Sequence, residues 1–157
     1  MMFQALYTDE PVSVNANNTE RKEEFKRNIL ELFVKQYPRE LNDDCPIRNK
    51  KCYFLMIYFY KKRKQRDIDN ILKYTIDALR KKIYKDDRLI EFCLSESISC
   101  DDGIESIDMT SMDGNIASQL YDFITAEYDR EHTSVTYIEC GLMNDHFYKI
   151  GLEELWK

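Results

Sequence analysis

The sequence predicts an α+β fold: a small mixed β-sheet packed with helices, followed by an α+β C-terminal extension. Three observations predict it. An apolar, aromatic-rich run of nine residues, Cys52–Tyr60, reads as a strand. Two stretches flanking it repeat apolar residues at helical intervals, Phe25, Ile29, Leu32 and Phe33 before it and Ile68, Leu72, Ile76, Leu79 and Ile83 after it. The chain, at 157 residues, is long enough for one ordinary domain with a real core. We divide it into a main domain, residues 1–112, and an acidic extension, 113–157, packed on the same domain.

The elements follow in order. Residues 2–7, "MFQALY", form a first strand, and Pro11 with "NANN" marks the loop after it. Asn17 and Glu20 have the spacing of a capping box, so a helix is expected over 18–37, stopped before Pro38. The strand "KCYFLMIYFY" is apolar without alternation, which places it centrally with both faces covered. A basic run, "KKRKQR", leads to a second helix over 69–84 with Asp69 as its cap. Its apolar residues from Ile68 to Ile83 make the buried stripe, while Asp69, Lys73, Asp77 and Arg80 share another face. Next, "RLIEFCLSESIS" and "GIESIDMTSM" read as two strands joined at "CDDG" into a hairpin. The extension reads as a helix over 115–129, a strand "TSVTYIECGL" and a short aromatic tail.

Composition narrows the function. The longest apolar run is far too short to cross a bilayer, and "MMFQALYTDEP" lacks the basic and apolar segments of a secretion signal, so a cytoplasmic setting is expected. The five cysteines are scattered and never spaced Cys-x-x-Cys, and only two histidines accompany them; they read as reduced structural thiols rather than a zinc site. His132, His146 and Trp156 receive no functional assignment. Net charge is −6, but it is divided unevenly. Residues 1–85 carry 19 Lys and Arg against 12 Asp and Glu, whereas 86–157 carry 4 against 17. The first part suits a polyanion and the second would repel one.

The chemistry concentrates in "RDIDNILKYTIDALRKKIYKDD", residues 66–87. Asp67 and Asp69 flank Ile68 where the chain enters the helix, so in an extended local backbone their side chains point the same way. Asn70 follows them, Lys73 lies one turn after Asp69, and Asp86 and Asp87 stand just past the helix. Carboxylates held this close repel one another unless a cation joins them. Oxygen-rich sites of this kind suit magnesium, with manganese as the alternative.

These residues resemble the core of the RusA-type Holliday junction resolvases (crossover junction endodeoxyribonucleases), over about residues 1–112. The shared pattern is Asp-x-Asp-Asn, a lysine three residues on, Asp-Ala-Leu, and Asp-Asp before a strand: here Asp67, Asp69, Asn70, Lys73, Asp77, Ala78, Leu79, Asp86 and Asp87. "PVSVN", residues 11–15, is similar to the turn after the family's first strand. The resemblance implies a RusA-like fold and a magnesium-dependent endonuclease, active as a homodimer, that nicks opposing strands of a four-way DNA junction. By the same resemblance Asp67, Asp69 and Asp87 bind metal and are catalytic, Asp86 joins the metal set, and Lys73 steadies phosphate or developing charge.

Geometry adds an expectation of its own. A straight helix over 69–84 is about 24 Å long, and the residues leading to Asp87 span at most about 10 Å. Paired metal ions sit about 4 Å apart, so the two acidic pairs of one chain are expected to stay separate. Antiparallel packing of two copies of the helix would bring Asp67 and Asp69 of one subunit beside Asp87 of the other. Lys61, Lys62, Arg63, Lys64 and Arg66, with Asn70, are the expected DNA contacts beside this site. Tyr58 and Tyr60 could stack on bases but read more readily as core. A rival reading is a RusA-like scaffold with weak or no nuclease activity, whose acidic C-terminal part docks a protein partner. A third is a magnesium nuclease for flaps or forks.

Overall fold

The computed structural model describes residues 2–11, 19–41, 45–62, 66–104, 106–126 and 133–143. Its elements are β1 (Met2–Tyr7), α1 (Thr19–Gln36), β2 (Cys52–Tyr60), α2 (Ile68–Leu79), a 3₁₀ turn (Asp87–Leu89), β3 (Ile90–Ser99), α3 (Gly114–Thr125) and β4 (Ser134–Leu142). The strands form one mixed sheet in the order β1-β4-β2-β3. β4 runs antiparallel to both β1 and β2, and β2 runs parallel to β3. The parallel pair is joined through α2, since parallel neighbours need a crossover rather than a tight turn.

β2 is central, as its unbroken apolar character predicts, and its alternate residues feed two cores. Cys52, Phe54, Met56 and Tyr58 pack on one face with Phe25, Ile29 and Phe33 of α1 and Ile71, Ala78 and Leu79 of α2. Leu55, Ile57 and Phe59 pack on the other, against Ile116, Leu120 and Phe123 of α3. The spacing of Phe25, Ile29 and Phe33 puts one side chain per turn on the face α1 buries. Asp113 caps α3, its carboxylate accepting from the amides of Asn115 and Ile116. No helix among the described residues is long and apolar enough to cross a membrane.

Three expectations change. The hairpin is replaced by a single edge strand, β3, and no strand forms among the described residues of 103–112. The turn itself exists, with Gly103 at φ 81° and Asp101 accepting from the Lys62 amide at 2.5 Å. Beyond it the apolar residues Ile104, Ile107, Met109 and Met112 cross the second sheet face and pack beside α3. The alternation that mimics a strand is therefore used to cover a core. Second, β4, from the stretch assigned to the C-terminal extension, lies inside the sheet between β1 and β2. Third, α2 ends at Leu79 instead of continuing to 84.

That early end has a visible cause. Arg80 adopts an extended conformation and Lys81 a left-handed one, φ 68°. The chain then doubles back: the Lys81 amide donates to the Tyr84 carbonyl at 2.7 Å, and the Ile83 amide to Leu79 at 2.9 Å. Ile83 and Tyr84 are fully buried, and the Tyr84 hydroxyl donates to the Ile76 carbonyl at 2.5 Å. Burying Tyr84 beneath the helix end outweighs continuing the helix. The cap also moves: Asp67, in extended conformation, is the N-cap without a side-chain capping bond, and Asp69 lies in the first turn.

The buried stripe is rotated as well. Ile71, Thr75, Ala78 and Leu79 are buried, while Ile68, Leu72 and Ile76 are only partly covered. Thr75 tolerates burial because its hydroxyl donates to the Ile71 carbonyl at 2.9 Å. Leu72 and Ile76 are thereby turned toward an open cleft.

Candidate active site

The cleft lies along α2, with a volume of about 650 Å³. From α2 it is lined by Asp69, Leu72, Lys73, Ile76 and Asp77, and from the segment entering β3 by Asp87, Arg88 and Ile90. Asp69, Lys73 and Asp77 follow one another at intervals of four residues, so the helix presents them on one side in line. Asp69, Lys73, Asp87 and Arg88 are exposed; Leu72, Ile76 and Ile90 form a half-buried apolar wall between them. At the entrance to α2, carboxylates are also favoured by the positive end of the helix dipole.

The predicted site residues divide into groups. Asp69, Lys73 and Asp87 share the cleft. Asp67 stands at the helix entrance outside the lining, its carboxylate accepting from the Asn70 side-chain amide at 2.6 Å. Asp86 is engaged elsewhere: its carboxylate accepts from the backbone amide of Arg88 at 3.0 Å and from Nε and Nη2 of the same guanidinium at 2.9 and 3.0 Å. Those hydrogen bonds hold the Asp86 carboxyl well below the usual carboxylate range and raise Arg88 in turn.

Of the basic run, Lys61 faces the protein. Its ammonium donates to the carbonyls of Phe123 and Ala126, the latter at 2.7 Å, and so closes the C-terminal end of α3. Arg66 pairs with Glu10 at 3.1 Å, and Lys62 is exposed at φ 57°. Arg63 and Lys64 lie outside the described residues, as do residues 12–15 of the "PVSVN" turn, Asn17, His132, His146 and Trp156. Tyr58 is core and its ring stacks on Tyr60, with centroids 5.7 Å apart. The five cysteines are free thiols, with Cys52 and Cys140 buried.

Two cleft residues carried no role in the sequence reading, Asp77 and Arg88. Asp77 was legible through its place on the helix face shared with Asp69 and Lys73. Arg88 was not, because its position depends on the pairing with Asp86.

The helix between the acidic pairs is also shorter than expected. α2 has 12 residues, about 18 Å at 1.5 Å each, and the turn after it carries Asp87 back along its flank. Both ends of the carboxylate row therefore open on one cleft of one chain. Among the described residues, however, no three carboxylate, histidine or cysteine side chains converge into a cage for an ion. The donor set still fits magnesium, which needs only one or two carboxylates and keeps several waters. Among the described residues, every carboxylate in the cleft belongs to an aspartate, and no histidine or thiol lines it.

A search of curated proteins finds no match. The family model described as Endodeoxyribonuclease RusA matches residues 9–105, which include β2, α2, β3 and every residue lining the cleft. The match covers more than half of the chain, including the parallel strand pair and the aspartate-bearing helix that bridges it, and the chain belongs to the RusA endodeoxyribonuclease family.

Proposed function

We propose that this protein is a magnesium-dependent, structure-specific endonuclease that resolves Holliday junctions or related branched DNA, working in the cytoplasm as a homodimer. One observation carries the reading: in a member of this family, a single cleft combines Asp69, Asp77 and Asp87 with the cations Lys73 and Arg88. Carboxylates alone would repel a phosphodiester, and cations alone would only bind it.

In the overall reaction a water oxygen bonds to phosphorus, one phosphorus–oxygen ester bond breaks, and a phosphate monoester and a hydroxyl remain. Asp69 and Asp87, with Asp67 at the helix entrance, are the residues to hold magnesium. The bound ion supplies Lewis-acid polarisation of the phosphate and a nucleophile usable at neutral pH. Lys73 places a compact positive charge beside the phosphate, where negative charge grows during hydrolysis. Arg88, fixed by Asp86, offers planar donors suited to phosphate oxygens. The half-buried wall of Leu72, Ile76 and Ile90 lies in the same cleft between these charged groups.

A four-way junction has two strands to cut, and two copies supply two clefts. Antiparallel packing of two α2 helices would cover the half-buried apolar wall and set the entrance aspartates of one subunit near Asp87 of the other.

The test uses a labelled synthetic four-way junction with magnesium, and Asp69→Asn as control. Symmetric paired nicks that vanish in the control support the reading, and sedimentation of the active species should give a dimer. Equal cutting of flaps would widen the substrate to branched DNA in general. Tight binding in calcium without cutting in magnesium would replace the enzyme with a DNA-binding scaffold.

A further inference from the structure

The turn that ends α2 carries more charge than its folding requires. Arg80, Lys81, Lys82 and Lys85 are all exposed, and so is Lys50, three residues past Ile47 on the neighbouring loop. None of these five pairs with a described carboxylate; the nearby Lys51 does, with Glu91. The two segments are fastened together by backbone hydrogen bonds, Ile47 amide to Ile83 carbonyl and Lys85 amide to Ile47 carbonyl, both 2.9 Å. Buried Ile47, Ile83 and Tyr84 anchor them from below. The cations therefore stand on a rigid platform.

Lys81 occupies the conformation in which the helix-ending residue is usually glycine, φ 68°. A lysine there is strained, and its side chain makes none of the ion pairs or ring contacts seen elsewhere among the described residues. The left-handed backbone serves the turn that buries Ile83 and Tyr84, but that turn needs no lysine side chain where glycine would be unstrained, and a lysine kept there points to use of its side chain.

The turn also connects the two cleft-lining segments, lying in the chain between Asp77 and Asp87. Arg80, the extended residue that closes α2, stands three residues past Asp77. Lys85 is two residues before Asp87. Arg66 stands before the opposite end of α2.

We propose that the Arg80–Lys85 turn, with Lys50, is a second phosphate-binding surface that holds a duplex arm of the DNA where it leaves the cleft. This rests on the nuclease reading above. Spread cations on an open platform match a row of phosphates, and each phosphate that is neutralised releases bound counterions. Arg80 and its neighbours then bear a load separate from catalysis: they hold the arm and Asp69 and Asp87 act on the strand.

The test measures binding of a fluorescent four-way junction in calcium over a series of potassium chloride concentrations. Wild type, Lys81→Gly, and a variant combining Arg80→Ser, Lys81→Gly, Lys82→Ser and Lys85→Ser are compared, with circular dichroism and thermal melting to follow folding. Lys81→Gly should raise Tm by about 2–4 °C by relieving the strained φ and yet weaken binding, opposite signs that a purely structural lysine would not produce. The fourfold variant should reduce the steepness of log affinity against log salt by about 0.9 for each phosphate it no longer neutralises. An unchanged salt slope in a folded fourfold variant overturns this proposal and leaves the nuclease reading standing. So would unchanged slopes accompanied by weakened binding to phosphatidylserine vesicles, which would make the turn a membrane contact. Wild type that binds no junction at any salt overturns both.

Discussion

Asp86 and Arg88, two residues apart, form a two-pronged pair in which one carboxylate oxygen accepts from Nε at 2.9 Å and the other from Nη2 at 3.0 Å. The guanidinium has five N–H groups, so roughly three remain free to meet a phosphate at the cleft. On the nuclease reading proposed above, Asp86 would act on the substrate through Arg88. Asp86→Asn should raise KM for junction DNA more than it lowers kcat, with magnesium affinity by calorimetry unchanged. A loss of metal affinity of about tenfold or more would instead place Asp86 among the ligands.

The same pair makes a prediction about pH. Hydrogen bonds from Arg88 lower the Asp86 pKa in the folded chain. A lowered folded pKa gives stability that is present above the ordinary aspartate value, about 3.9, and is lost only as pH falls through the lower folded value. Carboxyl-carbon NMR should show Asp86 still ionised at about pH 3.5, and Arg88→Ala should return its titration to the ordinary range.

Asp69→Asn keeps the shape of the cleft and removes a charge. Losing residues that merely orient metal ligands costs about 10–100-fold, so losing a direct ligand should lower single-turnover cleavage by at least about 100-fold. Junction affinity in calcium should change little. Full activity in this variant would remove Asp69 from the chemistry.

Tyr84→Phe deletes the hydroxyl that donates to the Ile76 carbonyl. That carbonyl also accepts from the Arg80 amide at 3.1 Å, so no acceptor is orphaned. The expected loss is about 0.5–1.5 kcal/mol in urea unfolding, with a folded product. A much larger loss would mean that the turn depends on this one bond.

Gly141→Ala tests packing between inner strands. A β-carbon on Gly141 would lie 2.8–2.9 Å from the Tyr53 ring and hydroxyl, and that hydroxyl is fixed by Glu139 at 2.6 Å. Overpacking here should cost about 1–3 kcal/mol. Adding Tyr53→Leu, which vacates the space, should recover part of it and make the two substitutions non-additive.

Much of the fold was legible because local patterns report local burial. The spacing of Phe25, Ile29 and Phe33 marks a helix, and the unbroken run in β2 marks a strand covered on both faces. Misreadings arose where the same pattern serves two purposes. Alternation after Gly103 describes a strand equally well as a loop crossing a hydrophobic face. The apolar spacing that continues to Ile83 describes a longer helix equally well as a turn that buries Ile83 and Tyr84. In the site, helical periodicity aligned Asp69, Lys73 and Asp77, whereas nothing in the order of residues showed Asp86 and Lys61 to be occupied by other partners.

The order of residues alone specified the kinds of element, the row of charged residues on α2 and the family to which the chain belongs. Each depends on neighbours within a few residues, whose side-chain directions follow from backbone geometry. Three-dimensional packing was needed to put β4 between β1 and β2, pairing residues such as Phe54 and Cys140 that lie far apart in the chain. It also stopped α2 at Leu79 and put Asp87 in the same cleft as Asp69. Such choices are made by the total area buried and by long loop closures, which no short stretch of sequence contains.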